Sequence, residues 1–446
     1  MILHAKTALL PGGWAQDVRI HVQEGRIAQV TAGVPGQGYG AILPAPVNLH
    51  SHTFQRAMAG MTESRTAGQD SFWTWRALMY RFLDRLSPDD VQAIAAQAMV
   101  EMAESGFAAV CEFHYLHHPV GGGTYADPAE MSVRIVQAAH ETGLGLTHLP
   151  VIYEQGGVDG RALAGGQLRF GSSPEIYAML LEGAGRALAG LPDSVLGVAP
   201  HSLRAVSRGT LDRVSGMTKG PIHIHIAEQV AEVTEVQTAW GARPVEWACD
   251  NLPLDGRWCM IHATQMTPGE TAALAKTGAV AGLCPITEAN LGDGVFDAPG
   301  WLAAGGRFGV GTDSNVRISL AEELRLLEYS QRLQAKARAV MADERSTGRL
   351  LWEGAAQGGA QAAGRQSGAI AVGMWADLVA LDTGDLRLER FQGDSLLDAF
   401  LFAGRDGLVT DLWSAGRHIV QAGRHIARDA TASRFRATMH RLRADL

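Results

Sequence analysis

Residues 47–55, VNLHSHTFQ, close an apolar run with two histidines one residue apart. Side chains alternate faces along a strand, so His50 and His52 project together while Ser51 points away. That arrangement suits two imidazoles on one ion. H-x-H also arises by chance, so the reading depends on further donors in register with it. Three later runs supply them: His225 ends PIHIH, His262 ends WCMIH, and Asp313 follows RFGVGT. His50, His52, His225 and Asp313 form an N/O set suited to zinc, with iron(II) or manganese(II) as alternatives. Such an ion lowers the pKa of bound water from about 15.7 towards 7. Asp313 is placed to take the water's proton, Glu228 to deliver one to a leaving nitrogen, and His262 to polarise the developing charge. The chain has no G-x-S-x-G and no Ser or Cys paired with His in motif context, which argues against a covalent route. No P-loop is present, and GGGTY at 121–125 reads as a loop.

The elements that must position these groups follow from periodicity. Eight short apolar runs recur: PAPVNLH, FAAVCEFHY, LGLTHLPVIY, SVLGVAPHS, PIHIHIAE, WCMIHAT, AVAGLCP and RFGVGTDS. Between them the spacing predicts amphipathic helices over 89–105, 129–142, 174–190, 228–250 and 320–341. Eight β-then-α units specify a (β/α)8 TIM barrel, whose active site forms where strands end and βα loops begin. The polar residues named above fall at those ends, as do Tyr115 after the second run and His201 after the fourth. Scattered core histidines would not align in this way. In PIHIHIAE, only His225 is near enough to the strand's end to reach the barrel mouth, so His223 is read as structural.

The first 35 residues alternate apolar and polar positions, with Glu24-Gly25 placed as a hairpin turn. GAIAVGMWADLVALD and WSAGRHIVQAGRHI repeat that character near the other end. We therefore expect three parts: a small β-sandwich built from 1–43 and 369–446, the latter ending in a basic helix, around a barrel at 44–368. The chain has 446 residues, 46% of them hydrophobic, enough to bury a large core. A formal charge of −8 argues against a nucleic-acid partner, since phosphate binding requires a basic surface. Cys111, Cys249, Cys259 and Cys284 show no C-x-x-C spacing and sit in apolar runs. With no secretory pattern in MILHAKTALLPGGW and no long uncharged apolar stretch, a cytoplasmic setting without membrane contact is expected.

H-x-H on the first strand, histidines closing the fifth and sixth and Asp on the eighth resemble the amidohydrolase superfamily, across nearly the whole chain. Within it, NLHSHTFQRAMAGMTE, EFHYLHH, APHSLRAV, HIHIAEQ, CPITEANLGDG and EELRLLEYSQRL are similar to the formimidoylglutamate deiminases. The resemblance implies one zinc, hydrolysis of N-formimidoyl-L-glutamate to N-formyl-L-glutamate and ammonia, and a homodimer. By position it implies His50, His52, His225 and Asp313 as ligands, Glu228 as acid/base and His262 as its assistant. It also implies Gln55, Arg76, Tyr115, His201 and Arg204 as substrate contacts. A substrate with two carboxylates suits arginine, whose planar guanidinium grips carboxylate with two hydrogen bonds. Arg56 is a further candidate carboxylate partner. Asn315 and Arg317 depart from the expected pattern beside the eighth strand. The alternatives are an aminohydrolase of a purine, pyrimidine or triazine ring, which calls for an aromatic slot, and a non-catalytic barrel, which would have lost its ligands.

Overall fold

The computed structural model describes residues 1–61, 63 and 79–444. Eight parallel strand positions run in chain order: Val47–Ser51, Ala109–His114, Gly145–Ile152, the split pair Val195–Leu196 and Ala199–Pro200, Ile222–Ile226, Trp258–His262, Val280–Leu283 and Arg307–Val310. Their pairing gives two parallel sheets. Bridges Val198↔Ile222 and Ser202↔His225 join the sheets on one side, and Ser51↔Asp313 joins them on the other. The barrel thereby closes beside its own catalytic candidates. At that seam Gly311 lies so close to the first strand that a β-carbon would stand 2.6 Å from the backbone of His50. Only glycine lets the eighth strand bring Asp313 up to the histidine pair.

The intervening helices start where their sequences say they should. Ser87, Ser173 and Thr267 each cap a helix whose first residue is proline, combining an accepting hydroxyl with a φ already set for the helix. Two expectations are corrected. The helix expected over 228–250 is two helices, Val230–Trp240 and Pro244–Asn251. Gly241 takes a left-handed φ of 80° and ends the first, and Pro244, which has no backbone N–H, opens the second. The helix expected over 320–341 stops at Ala335, where Lys336 turns left-handed.

Both chain ends contribute to one eight-stranded sheet. In spatial order it runs from Arg424–His425, Arg417–Gln421, Val409–Ser414 and Leu378–Leu381 to Tyr39–Pro44, Ile2–Leu10, Gly13–Gln23 and Arg26–Thr31. Its central strands show period-two burial: Ile42, Leu378 and Ala380 enter a small separate core, while Leu43, Val379 and Leu381 join the main core. The sheet curls until the hairpin at Glu24-Gly25 meets its far half, where Gly25 O accepts from Ala376 N at 2.8 Å. Beneath it, Arg365 fastens sheet to barrel. Fully buried, it donates to Asp377 Oδ2 at 2.6 Å and Asp193 Oδ2 at 2.8 Å, and Arg417 grips Asp193 from the other side.

Candidate metal centre and active site

His50 lies one residue from the end of the first barrel strand and His52 directly follows it, His225 lies one residue from the end of the fifth, and Asp313 follows the eighth. Their ligand atoms lie within 4.8 Å of one another and all four residues are buried. Asp313 Oδ1 is 3.2 Å from His52 Nε2 and 3.4 Å from His50 Nε2, and His225 Nε2 is 3.0 Å from His50 Nε2. The second nitrogens settle the tautomers. His52 Nδ1 donates to Phe113 O at 2.8 Å and His225 Nδ1 to His201 O at 3.0 Å. A carbonyl only accepts, so the protons sit on Nδ1 and the Nε2 lone pairs face inward. Burial, reinforced by the neighbouring imidazoles, pushes His50 and His225 far below the ordinary imidazole range. Neutral imidazoles around one carboxylate oxygen fit a zinc-class cation. His223 stands apart, its Nε2 donating to Ala362 O at 2.7 Å lower in the wall.

The backbone is bent to present these groups. Ala227, His262, Ala263, Asp313 and Asn315 all have positive φ, between 44° and 68°. Each such residue costs about 1–2 kcal/mol, so the surrounding hydrogen bonds must hold them there. Asp313 N donates to His50 O and His52 N to Asp313 O, both at 2.9 Å. Asn315 closes this corner. Its amide faces Ser51 Oγ, His52 O and Asp313 O at 3.0–3.1 Å, while its oxygen accepts from Thr312 Oγ1 at 2.6 Å.

Glu228 and His262 stand over the ligand set. His262 Nε2 is 3.8 Å from Glu228 Oε1 and 3.9 Å from Asp313 Oδ2, and its Nδ1 is 3.1 Å from Glu288 Oε1. Burial lifts Glu228 above the ordinary carboxylate range, with Asp313 and Glu232 adding to the effect and His262 opposing it. Burial alone would lower His262, but Glu228, Glu288 and Asp313 together overcome it and favour the imidazolium.

The pocket above is lined by Gln55, Tyr115, His201 and Arg204 among the expected residues. Gln55 Nε2 donates to Tyr115 Oη, leaving Gln55 Oε1 buried without a partner among the described residues. Arg204 Nε is likewise buried and has no partner among the described residues. Arg76 lies outside the described residues. Arg56, read from the sequence as a carboxylate partner, is already engaged. It donates to Asn315 O and Val316 O at 3.0 and 3.1 Å and pairs with Glu101 at 2.8 Å. Arg317 is half-exposed and paired with Glu322 and Asp406, so it belongs to the surface.

Sequence reasoning missed Tyr153 and Phe170 in the pocket wall, and Glu288 behind His262. Tyr153 immediately follows the third strand, so the strand-end rule that found the other residues extends to it. Glu288 sits in the first turn of the helix Pro285–Leu291, where nothing in the sequence distinguishes it from an ordinary N-terminal carboxylate.

Comparison with known proteins places this geometry in context. Residues 41–419 match the amidohydrolase family, and residues 1–39 match the N-terminal domain of formimidoylglutamate deiminase HutF. A formimidoylglutamate deiminase from Pseudomonas aeruginosa is 48% identical over 442 residues, spanning 97% of each chain. A 5-methylthioadenosine/S-adenosylhomocysteine deaminase from Haloarcula marismortui is 29% identical over 89% of this chain and 83% of that protein. Among solved structures, an amidohydrolase from Brucella melitensis superposes with a TM-score of 0.96 at 47% identity, covering 99% of both chains. A zinc-bound adenosine deaminase from Xanthomonas campestris shares the fold, with a TM-score of 0.83 at 21% identity over 99% of this chain and 98% of that one. Among the described residues no helix is long and apolar enough to cross a membrane.

Proposed function

Because the chain belongs to the amidohydrolase family and, within it, to the formimidoylglutamate deiminases, we propose that His50, His52, His225 and Asp313 hold one zinc ion. The enzyme hydrolyses N-formimidoyl-L-glutamate to N-formyl-L-glutamate and ammonia. The observation that carries the ligand reading is the convergence of three imidazole nitrogens and one carboxylate oxygen below a pocket holding Glu228, His262 and Arg204.

A bound zinc ion supplies a water acidic enough to attack at neutral pH. Asp313 Oδ1 faces the histidines, so its Oδ2, turned to His262, is the oxygen free to receive the water's proton. Glu228, raised by burial and facing His262, is the group placed to carry a proton to the departing nitrogen. His262, held as an imidazolium, stabilises negative charge at the tetrahedral carbon's oxygen. The unpartnered Gln55 Oε1 accepts from a substrate N–H. Tyr115 and His201 close the wall around the formimidoyl group. Arg204 and Arg76 take the two carboxylates.

We further take the enzyme to be a cytoplasmic homodimer, with the barrel at 44–368 flanked by 1–43 and 369–446. A specific observation keeps a ring aminohydrolase as the second reading: Tyr80, Tyr115, Tyr153 and Phe170 form an aromatic wall in the same pocket.

The test is ammonia release from N-formimidoyl-L-glutamate, with guanine, cytosine and adenosine as competing substrates. Chelation should abolish release and zinc restore it. Glu228→Gln should lower kcat by about 10²–10⁴ with the fold intact. Turnover of a ring compound alone would overturn the substrate assignment and leave the metal chemistry standing.

A further inference from the structure

The pocket wall beside His201 contains a hydroxyl that the proposed reaction does not use. Tyr153 follows the third barrel strand, is 6% exposed, and stands with its ring 4.7 Å from that of His201 and 5.7 Å from that of Phe170. Its oxygen is 3.2 Å from Gln167 Nε2. The direction of that hydrogen bond is fixed from behind. Gln167 Oε1 accepts from Ala164 N at 3.2 Å, and a backbone N–H can only donate, so the amide turns its NH2 to Tyr153. The phenol oxygen is therefore the acceptor and its own proton points elsewhere. No acceptor among the described residues takes that proton, and the side chain lines the pocket together with Arg204, whose Nε is also buried and unpartnered. A phenolic O–H and a guanidinium N–H, both lacking an acceptor among the described residues in one pocket wall, form a carboxylate receptor.

Resting on the substrate reading above, we propose that Tyr153, oriented by Gln167, is a specificity-determining residue that donates its hydroxyl proton to the substrate carboxylate held by Arg204. A ring substrate would leave both donors unpaired, and that penalty discriminates against it. The contact is made equally in the ground and transition states, so it acts on KM and not on kcat.

The experiment compares the zinc-loaded wild type with Tyr153→Phe on three substrates: N-formimidoyl-L-glutamate, N-formimidoyl-4-aminobutyrate, which lacks the α-carboxylate, and N-formimidoyl-L-2-aminobutyrate, which lacks the γ-carboxylate. The phenylalanine keeps the ring packed on His201 and Phe170. We expect KM for the dicarboxylate to rise about tenfold or more, as for loss of a hydrogen bond to a charged group, with kcat within twofold. One analogue, the one without the gripped carboxylate, should show no change in KM on substitution, and it doubles as a control for folding. An unchanged KM for the dicarboxylate, or an equal rise for all three substrates, would overturn the role of Tyr153. Failure of the wild type itself to turn over N-formimidoyl-L-glutamate would instead overturn the substrate reading on which the proposal rests.

Discussion

Asn315 offers the most direct way to separate the proposed metal ligands from the frame that holds them. Its side chain touches the segment bearing His52 and the segment bearing Asp313, and it is fully buried. An amide has two hydrogens for the three acceptors it faces and one oxygen that receives Thr312, so about three full hydrogen bonds are lost in Asn315→Ala. At about 1 kcal/mol each this is about 3 kcal/mol. Alanine at a φ of 55°, where asparagine is better tolerated, adds about 1 kcal/mol. With an unfolding entropy of about 2.1 cal/mol/K per residue, a loss of about 4 kcal/mol over 446 residues lowers Tm by about 4 °C. Because the groups that orient metal ligands commonly contribute 10–100-fold to affinity, zinc should bind about 10–100-fold more weakly. Competition against a chromophoric chelator measures the affinity, and calorimetry of apo and zinc-loaded protein measures the rest. Asn315→Asp, close to isosteric, should be worse than alanine, since its carboxylate would face two carbonyl oxygens and a hydroxyl without the amide's protons. A zinc affinity within twofold of wild type in Asn315→Ala, or a milder effect in Asn315→Asp, would refute the reasoning.

Three other outcomes follow from buried charge. Arg365→Leu leaves the buried carboxylates of Asp377 and Asp193 short of their partner and should cost about 3–5 kcal/mol, read as a fall in the urea midpoint. The metal site is not touched, so kcat should hold. Burial lowers His148 to about 3 and His223 and His425 to about 4, so the unfolded chain binds more protons than the folded one as pH falls below about 6.5. Their contribution is complete above that pH and is lost on acidification towards 4, with a cost near pH 5 of about 2 kcal/mol per histidine, visible in urea melts of the chelated protein. Both ring nitrogens of His148 are buried without partners among the described residues, so His148→Leu should flatten that pH dependence by about 2 kcal/mol at no cost in stability at pH 7.5.

The parts of the site legible in the sequence are those fixed by periodicity. Once eight strands are counted, a rule about strand ends selects His50, His52, His225, His262 and Asp313, and relegates His223 to the wall. What escaped depends on where long side chains go after leaving the backbone. Arg56 sits at a plausible position for gripping substrate, yet its guanidinium reaches Glu101 and two carbonyls of the eighth loop. Nothing local distinguishes those two fates. Asn315 looked like a departure from pattern because its role lies across the barrel seam, in contacts with residues far away in sequence. The helix expected over 228–250 failed for a different reason. Its apolar period continues through Gly241 and Pro244, and periodicity outvoted two residues whose backbone chemistry forbids continuation.

The eight-stranded sheet has a consequence for how the protein is made. Its central pair, Tyr39–Pro44 against Leu378–Leu381, joins a strand synthesised early to one synthesised after the whole barrel. During synthesis the early strand, whose Ile42 belongs to the small core, has no partner on that side. Its unpaired edge is a template for intermolecular association until the C-terminal strands leave the ribosome. Release of the finished chain, and not formation of the barrel, is the step that removes this exposure, so stalled or C-terminally truncated chains should aggregate through their first strands.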